Sequence, residues 1–171
     1  MRTQLKINGE WKDVEIENGE ITIVEPEKKA TGWERAKPGE WQRYIDSYNV
    51  KSSTEDCLEE DDALYQKANY FTSQELAENI NRMQTLQRKM FRWQAENDVP
   101  VCLSEISNDE WEKWGISYDY EADDFFVCRH NNVAEPFMPY FSLKWKAKEC
   151  IEVFKDELTW LFTEFRWRMD D

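Results

Sequence analysis

The chain has 171 residues, with 36 acidic against 22 basic side chains, a formal charge of −14, and 15% aromatic residues that include nine tryptophans. No run approaches the ~18 apolar residues that a membrane span needs, and a surface this acidic repels phosphate backbones while attracting basic proteins. High charge with low hydrophobicity suggests disorder, but the aromatics bring large apolar area per residue, so the expectation is a folded protein with an aromatic core and an acidic exterior.

The start, MRTQLKINGEW, lacks the apolar stretch of a signal peptide. Cys57, Cys102, Cys128 and Cys150 are scattered, with no CxxC. Reduced thiols and a cytoplasmic location are the expectation. Residues 3–25 alternate apolar and polar around Asn8-Gly9 and Asn18-Gly19, which are hairpin-turn pairs. They predict a three-strand meander, with an irregularity at Asp13 because Trp11 and Val14 cannot share a face of a regular strand. Pro26 ends it, and residues 26–40 read as a linker with Trp33 as an anchor.

Trp41 to Asp46 reads as a strand, with Tyr48 to Thr54 as its partner. The run Glu55-Asp56-Cys57-Leu58-Glu59-Glu60-Asp61-Asp62 follows, six acids in eight residues, and reads as a solvated loop. Thr72 and Glu75 then have capping-box spacing. Leu76, Ile80, Met83, Leu86, Met90 and Trp93 recur at spacings of three and four, one face of a long helix that stops at Asn97-Asp98-Val99-Pro100.

Ser107 to Glu110 has the same capping spacing and predicts a short helix through Trp111 and Trp114. Ile116–Tyr120 and Phe125–Arg129 read as strands around a turn at Glu121-Ala122-Asp123-Asp124, and residues 130–139 as a loop. Ser142 is the expected cap of a final helix whose stripe is Ala147, Ile151, Phe154, Leu158, Leu161 and Phe165, a more regular pattern than the first. Tyr70-Phe71-Thr72 and Tyr140-Phe141-Ser142 lie 70 residues apart, as do Ala77 and Ala147. Trp41, Tyr44 and Asp46 hold places comparable to Trp114, Tyr118 and Asp119, though not in exact register. The reading is therefore an α+β fold: an N-terminal β-meander (1–26) followed by two diverged ββ(β)α units (27–98 and 99–171), each ending in a long amphipathic helix.

No chemistry stands out. His130 is the single histidine, and Cys128-x-His130 finds no second pair of matching spacing for zinc. Asp119-x-Glu121-x-Asp123 opens like a calcium loop but has Asp124 where glycine is needed and His130 where glutamate is needed. The five glycines form no phosphate loop. No catalytic residue, cofactor or metal is assigned, and the chain is not expected to be an enzyme. Arg82, Arg88, Lys89 and Arg92 on the first long helix are the one mild basic signal.

The segments KINGEWKDVEIENGEITIVEP, NYFTSQELAENI and PYFSLKWKAKECIEVFKDEL, with Trp33-Glu34-Arg35-Ala36 and Tyr44-Ile45-Asp46-Ser47, resemble a family of uncharacterised proteins. Phages, prophages and other mobile elements of Gram-positive bacteria encode that family. The resemblance implies no active site. It implies a small anti-defence protein: an inhibitor of a host nuclease, a CRISPR effector above all, bound through an acidic surface that works as a DNA mimic or locks a mobile domain. The alternatives are a small nucleic-acid binder, with Arg82, Arg88 and Arg92 as contacts, and a phage structural or assembly protein. The expected partner is a basic nucleic-acid-handling protein. The candidate surface is Glu55, Asp56, Glu59, Glu60, Asp61 and Asp62 with Asp119, Glu121, Asp123 and Asp124, and its aromatic anchors are Trp111, Trp114 and Tyr120.

Overall fold

The computed structural model describes residues 2–7, 10–17, 20–23, 30–47, 49–99, 112–130 and 137–170. Two compact units divide the chain, the first ending at Thr31 and the second beginning at Gly32. The fold is α+β; among the described residues there are ten elements, and the strand pairs are antiparallel.

The first unit is the meander β1 (Arg2–Ile7), β2 (Glu10–Glu17) and β3 (Glu20–Ile23), in that order across the sheet. The expected irregularity at Asp13 is absent. Arg2 to Ile7 pair with Glu15 to Glu10 one for one, so the strand runs regularly through Asp13. Strict alternation then puts Val14 and Ile16 on one face, and Val14 is buried.

The second unit opens with the hairpin β4 (Trp41–Asp46) and β5 (Asn49–Thr54). The acid-rich run that follows is partly helical: α1 spans Glu59–Gln66. Glu59, Glu60, Asp61 and Asp62 fill its first turn, where carboxylates favour a helix because they meet the positive end of its dipole. Asp61 also reaches back to accept from the Leu58 backbone N–H at 3.2 Å.

Tyr70-Phe71 is not yet helix. Phe71 is bridged to Arg43 of β4, each N–H donating to the other's carbonyl at 2.8 and 2.9 Å. The chain stays extended through that bridge, so the helix α2 (Gln74–Asn97) begins one residue later than the capping pattern predicts. Ser73 is its cap, accepting from the Leu76 N–H at 3.2 Å, and Thr72 instead donates its backbone N–H to Gly32.

The same construction recurs. The hairpin β6 (Lys113–Asp119) and β7 (Asp124–His130) is followed by a Trp114–Phe141 bridge with two 2.9 Å bonds, then by α3 (Lys144–Thr163). Trp114 is therefore in a strand, not in the predicted short helix, most of which falls outside the described residues together with Trp111. The bridges align Arg43 with Trp114 (114 − 43 = 71) and Phe71 with Phe141 (141 − 71 = 70), so Trp114 corresponds to Arg43 and not to Trp41. One position earlier, Gln42 and Lys113 are both fully buried.

Ser142 is not the α3 cap. That position is Leu143, while Ser142 donates its N–H and its hydroxyl to Asp98, the C-cap residue of α2. α3 is also less regular than its spacing implies, because the backbone is non-helical at Phe154 (φ −115°, ψ 20°). Leu158 on the predicted stripe is fully buried, but so is most of Trp160, which lies off it.

Among the described residues two cores result, and α2 serves both. Its first half contributes Leu76, Ala77 and Ile80 to a cluster with Phe71, against which Trp33, Ile45 and Phe165 pack. Its second half contributes Leu86 and Met90 to a cluster with Ile116, Phe141, Ala147, Ile151 and Leu158. At 24 residues it spans roughly 36 Å. Residues 32–98 and 99–169 thus share a helix and belong to one unit, with Phe165 returning from beyond α3 to the first core.

Candidate functional site: two acidic clusters with different fates

The first cluster divides between interior and surface. Glu55 is fully buried. Its carboxylate accepts from Arg35 Nη2 at 3.0 Å and Nε at 3.2 Å, from the Cys57 N–H at 3.0 Å, and from the Tyr70 hydroxyl. The Arg35 bonds first, then the Tyr70 bond, hold its pKa at about 2, below the ordinary 4.5. Tyr70, also buried, accepts from the Ala36 N–H at 3.1 Å, and desolvation followed by the Glu55 bond pushes its phenol up to about 12. Asp61 is buried too, accepting from the Gln42 side chain and from the Asp56 N–H. Glu55 and Asp61 therefore bind the protein's own chain, through Arg35, Tyr70, Gln42 of β4 and nearby backbone N–H groups, and they are not part of its surface. Asp62 is exposed but paired to Arg35 at 2.6 Å. Asp56, Glu59 and Glu60 are the exposed remainder, beside a groove of about 480 Å³ whose apolar lining includes Tyr44, Leu58 and Leu64.

The second cluster is at the surface. The β6–β7 turn is built by Asp119, whose Oδ1 accepts from the Glu121 and Ala122 N–H groups at 2.9 and 3.1 Å. Asp123 sits at φ 53° and accepts the Tyr118 hydroxyl, which holds the Tyr118 phenol up at about 12. Asp119, Glu121, Asp123 and Asp124 are all exposed. Tyr120, between them in sequence, is 71% exposed. Its ring meets Tyr118 edge-on at 5.2 Å, and its hydroxyl donates to the Phe162 carbonyl at 3.2 Å. Tyr118 in turn stacks on Phe162 at 5.6 Å, so the turn is braced on the end of α3. Trp114 is different: it is half-buried, packs on the second core, and carries Lys144 Nζ 5.4 Å from its ring centre. Of the three aromatic anchors, Tyr120 alone among the described residues is open to a partner.

The basic residues on α2 are unequal. Arg82 donates to Glu157 at 2.8 Å and stacks 4.0 Å over Trp160, tying α2 to α3. Arg88 and Arg92 are exposed. Sequence reasoning missed the Arg35–Glu55–Tyr70 network, whose members are 15 to 35 positions apart and carry no spacing signal. It did register Cys128-x-His130, a spacing that puts both on one face of β7.

Among the described residues no group of three or more His, Cys, Asp or Glu side chains could hold a metal ion, and no helix is long and apolar enough to cross a membrane. Compared with protein-family models, curated proteins and solved structures, the chain matches none.

Proposed function

We propose that this protein is a phage-encoded binding protein that inhibits a host defence nuclease, a CRISPR effector being the leading class, by occupying a basic surface without chemistry. The observation that carries this reading is the β6–β7 turn. It presents one open aromatic ring, Tyr120, among four exposed carboxylates, and aromatic contacts hold it in place. Carboxylates around an aromatic anchor suit a basic partner: the charges steer encounter and register, and the ring supplies the contact energy. A braced turn also loses little conformational freedom on binding. Glu59 and Glu60, on the first turn of α1, add exposed charge of the same sign.

The test titrates the protein against a guide-loaded, DNA-cleaving effector and against labelled duplex DNA, at low and moderate salt. Inhibition of cleavage is expected, falling by roughly thirtyfold in Tyr120→Ala, as for an interface hot spot of about 2 kcal/mol. Glu121→Gln should slow association at low salt. Asp119 and Asp123 are poor choices because they shape the turn itself. Tight binding of DNA by the protein alone would replace this reading with a nucleic-acid binder. Co-purification with virions and no effect on any nuclease would replace it with a structural component.

A further inference from the structure

The face of the β6–β7 hairpin turned away from the second core carries a cluster that the proposed function does not use. Cys128 Sγ lies 2.9 Å from His130 Nε2, 3.1 Å from Ser117 Oγ and 3.7 Å from the Gly115 carbonyl. Register explains the convergence, since Gly115 pairs with Cys128 and Lys113 with His130 across the two strands. Gly115 is required there. A Cβ at that position would stand 2.5 Å from His130 Nε2, so only glycine lets the imidazole lie across β6 to reach the sulfur. Tyr140 holds the other side of the ring, edge-on at 5.2 Å.

We propose that Cys128 is a modification site: a thiol whose proton His130 accepts and whose sulfur a hydroperoxide oxidises to the sulfenic acid. The sulfur attacks the distal peroxide oxygen, an S–O bond forms and the O–O bond breaks. The thiol proton passes through His130 Nε2 to the departing oxygen, which leaves as an alcohol or, from hydrogen peroxide, as water. Sulfur loses two electrons and the peroxide gains them. While the thiolate exists, the His130 N–H and the Ser117 hydroxyl both donate to it, the arrangement that makes a cysteine nucleophilic. Cys128 is half-buried. The other described thiols lack such a base. Cys150 is fully buried, and desolvation pushes its thiol up to about 12. Cys57 is exposed but follows β5 at the start of the acidic run, away from any histidine, His130 being the single one in the chain.

Per-cysteine rates settle the matter. The whole, reduced protein is treated with limiting iodoacetamide, and separately with hydrogen peroxide and dimedone, and each cysteine is followed by peptide mass spectrometry. Cys128 should react about tenfold faster than the more exposed Cys57 and should carry the dimedone adduct. His130→Gln should remove that advantage while Cys57 keeps its rate. Equal rates at Cys57 and Cys128 in the unaltered protein overturn the proposal, and this comparison needs no variant to fold. A Cys128 rate unchanged in a folded His130→Gln protein overturns it as well.

Discussion

Glu55 offers a sharp test of how the first acidic cluster is used. As a surface acid it would be replaceable at little cost, since exposed ion pairs are worth about 0–1 kcal/mol. As a buried carboxylate with four donors it should be costly to lose. Breaking a buried pair from one side costs about 3–5 kcal/mol when the remaining charge is stranded. Arg35 is not stranded here: its side chain is 36% exposed, and it keeps Asp62 at 2.6 Å. The Tyr70 hydroxyl, buried, loses its acceptor but keeps the Ala36 N–H. We therefore place the cost of Glu55→Ala at about 2–4 kcal/mol, about 1 kcal/mol under the stranded-charge range at each end. For a chain of this size that is roughly 4–16 °C in Tm, at about 2–4 °C per kcal/mol. Glu55→Gln keeps the shape, loses the charge, and should fall at the lower end.

The pH dependence has a definite sign. Glu55 is depressed in the folded state to about 2 from its ordinary 4.5. Its contribution is thus fully present above about 4.5 and is lost as pH falls from there through about 2. Thermal unfolding of the unaltered protein and of Glu55→Gln, followed by circular dichroism across that range, should show a gap in Tm at neutral pH that closes as the solution is acidified. Glu60→Gln is the control and should stay within about 0.5 kcal/mol throughout. Identical melting of the unaltered protein and Glu55→Gln at neutral pH, or a gap that persists in acid, would refute the buried-network account.

Leu158→Asp places a charge in a fully buried site and should unfold the larger unit. Because α2 serves both cores, tryptophan fluorescence should then report loss of both together, and survival of the Trp33–Phe71 environment alone would contradict the shared helix. Ser73→Ala should cost about 1 kcal/mol as loss of a helix cap, and Thr72→Ala less, which chemical denaturation can rank. Gly32→Ala should lower Tm on two counts: Gly32 sits at φ 90°, and a Cβ there would meet Leu76 Cδ2 at 2.9 Å. An unchanged denaturation midpoint would show that the approach of the Gly32 loop to α2 has slack.

The long helices were legible in the sequence because their stripes repeat at the helical period, and most of the named stripe residues are buried or half-buried. The hairpins were legible because apolar alternation and turn residues are local signals. The Tyr-Phe echo was legible as repetition, but its meaning was not: only a backbone bridge to Arg43 in one case and Trp114 in the other explains why the motif stays extended and why each helix begins at the third residue after the phenylalanine. Nor could composition separate Glu55 and Asp61 from Glu59 and Glu60. All four are acids in one run, and which are buried depends on Arg35, Gln42 and Tyr70 arriving from other elements. Local order follows from period and turn chemistry, which neighbours in the chain determine. Whether a carboxylate is surface or core depends on partners that only the closed tertiary structure brings within hydrogen-bond reach.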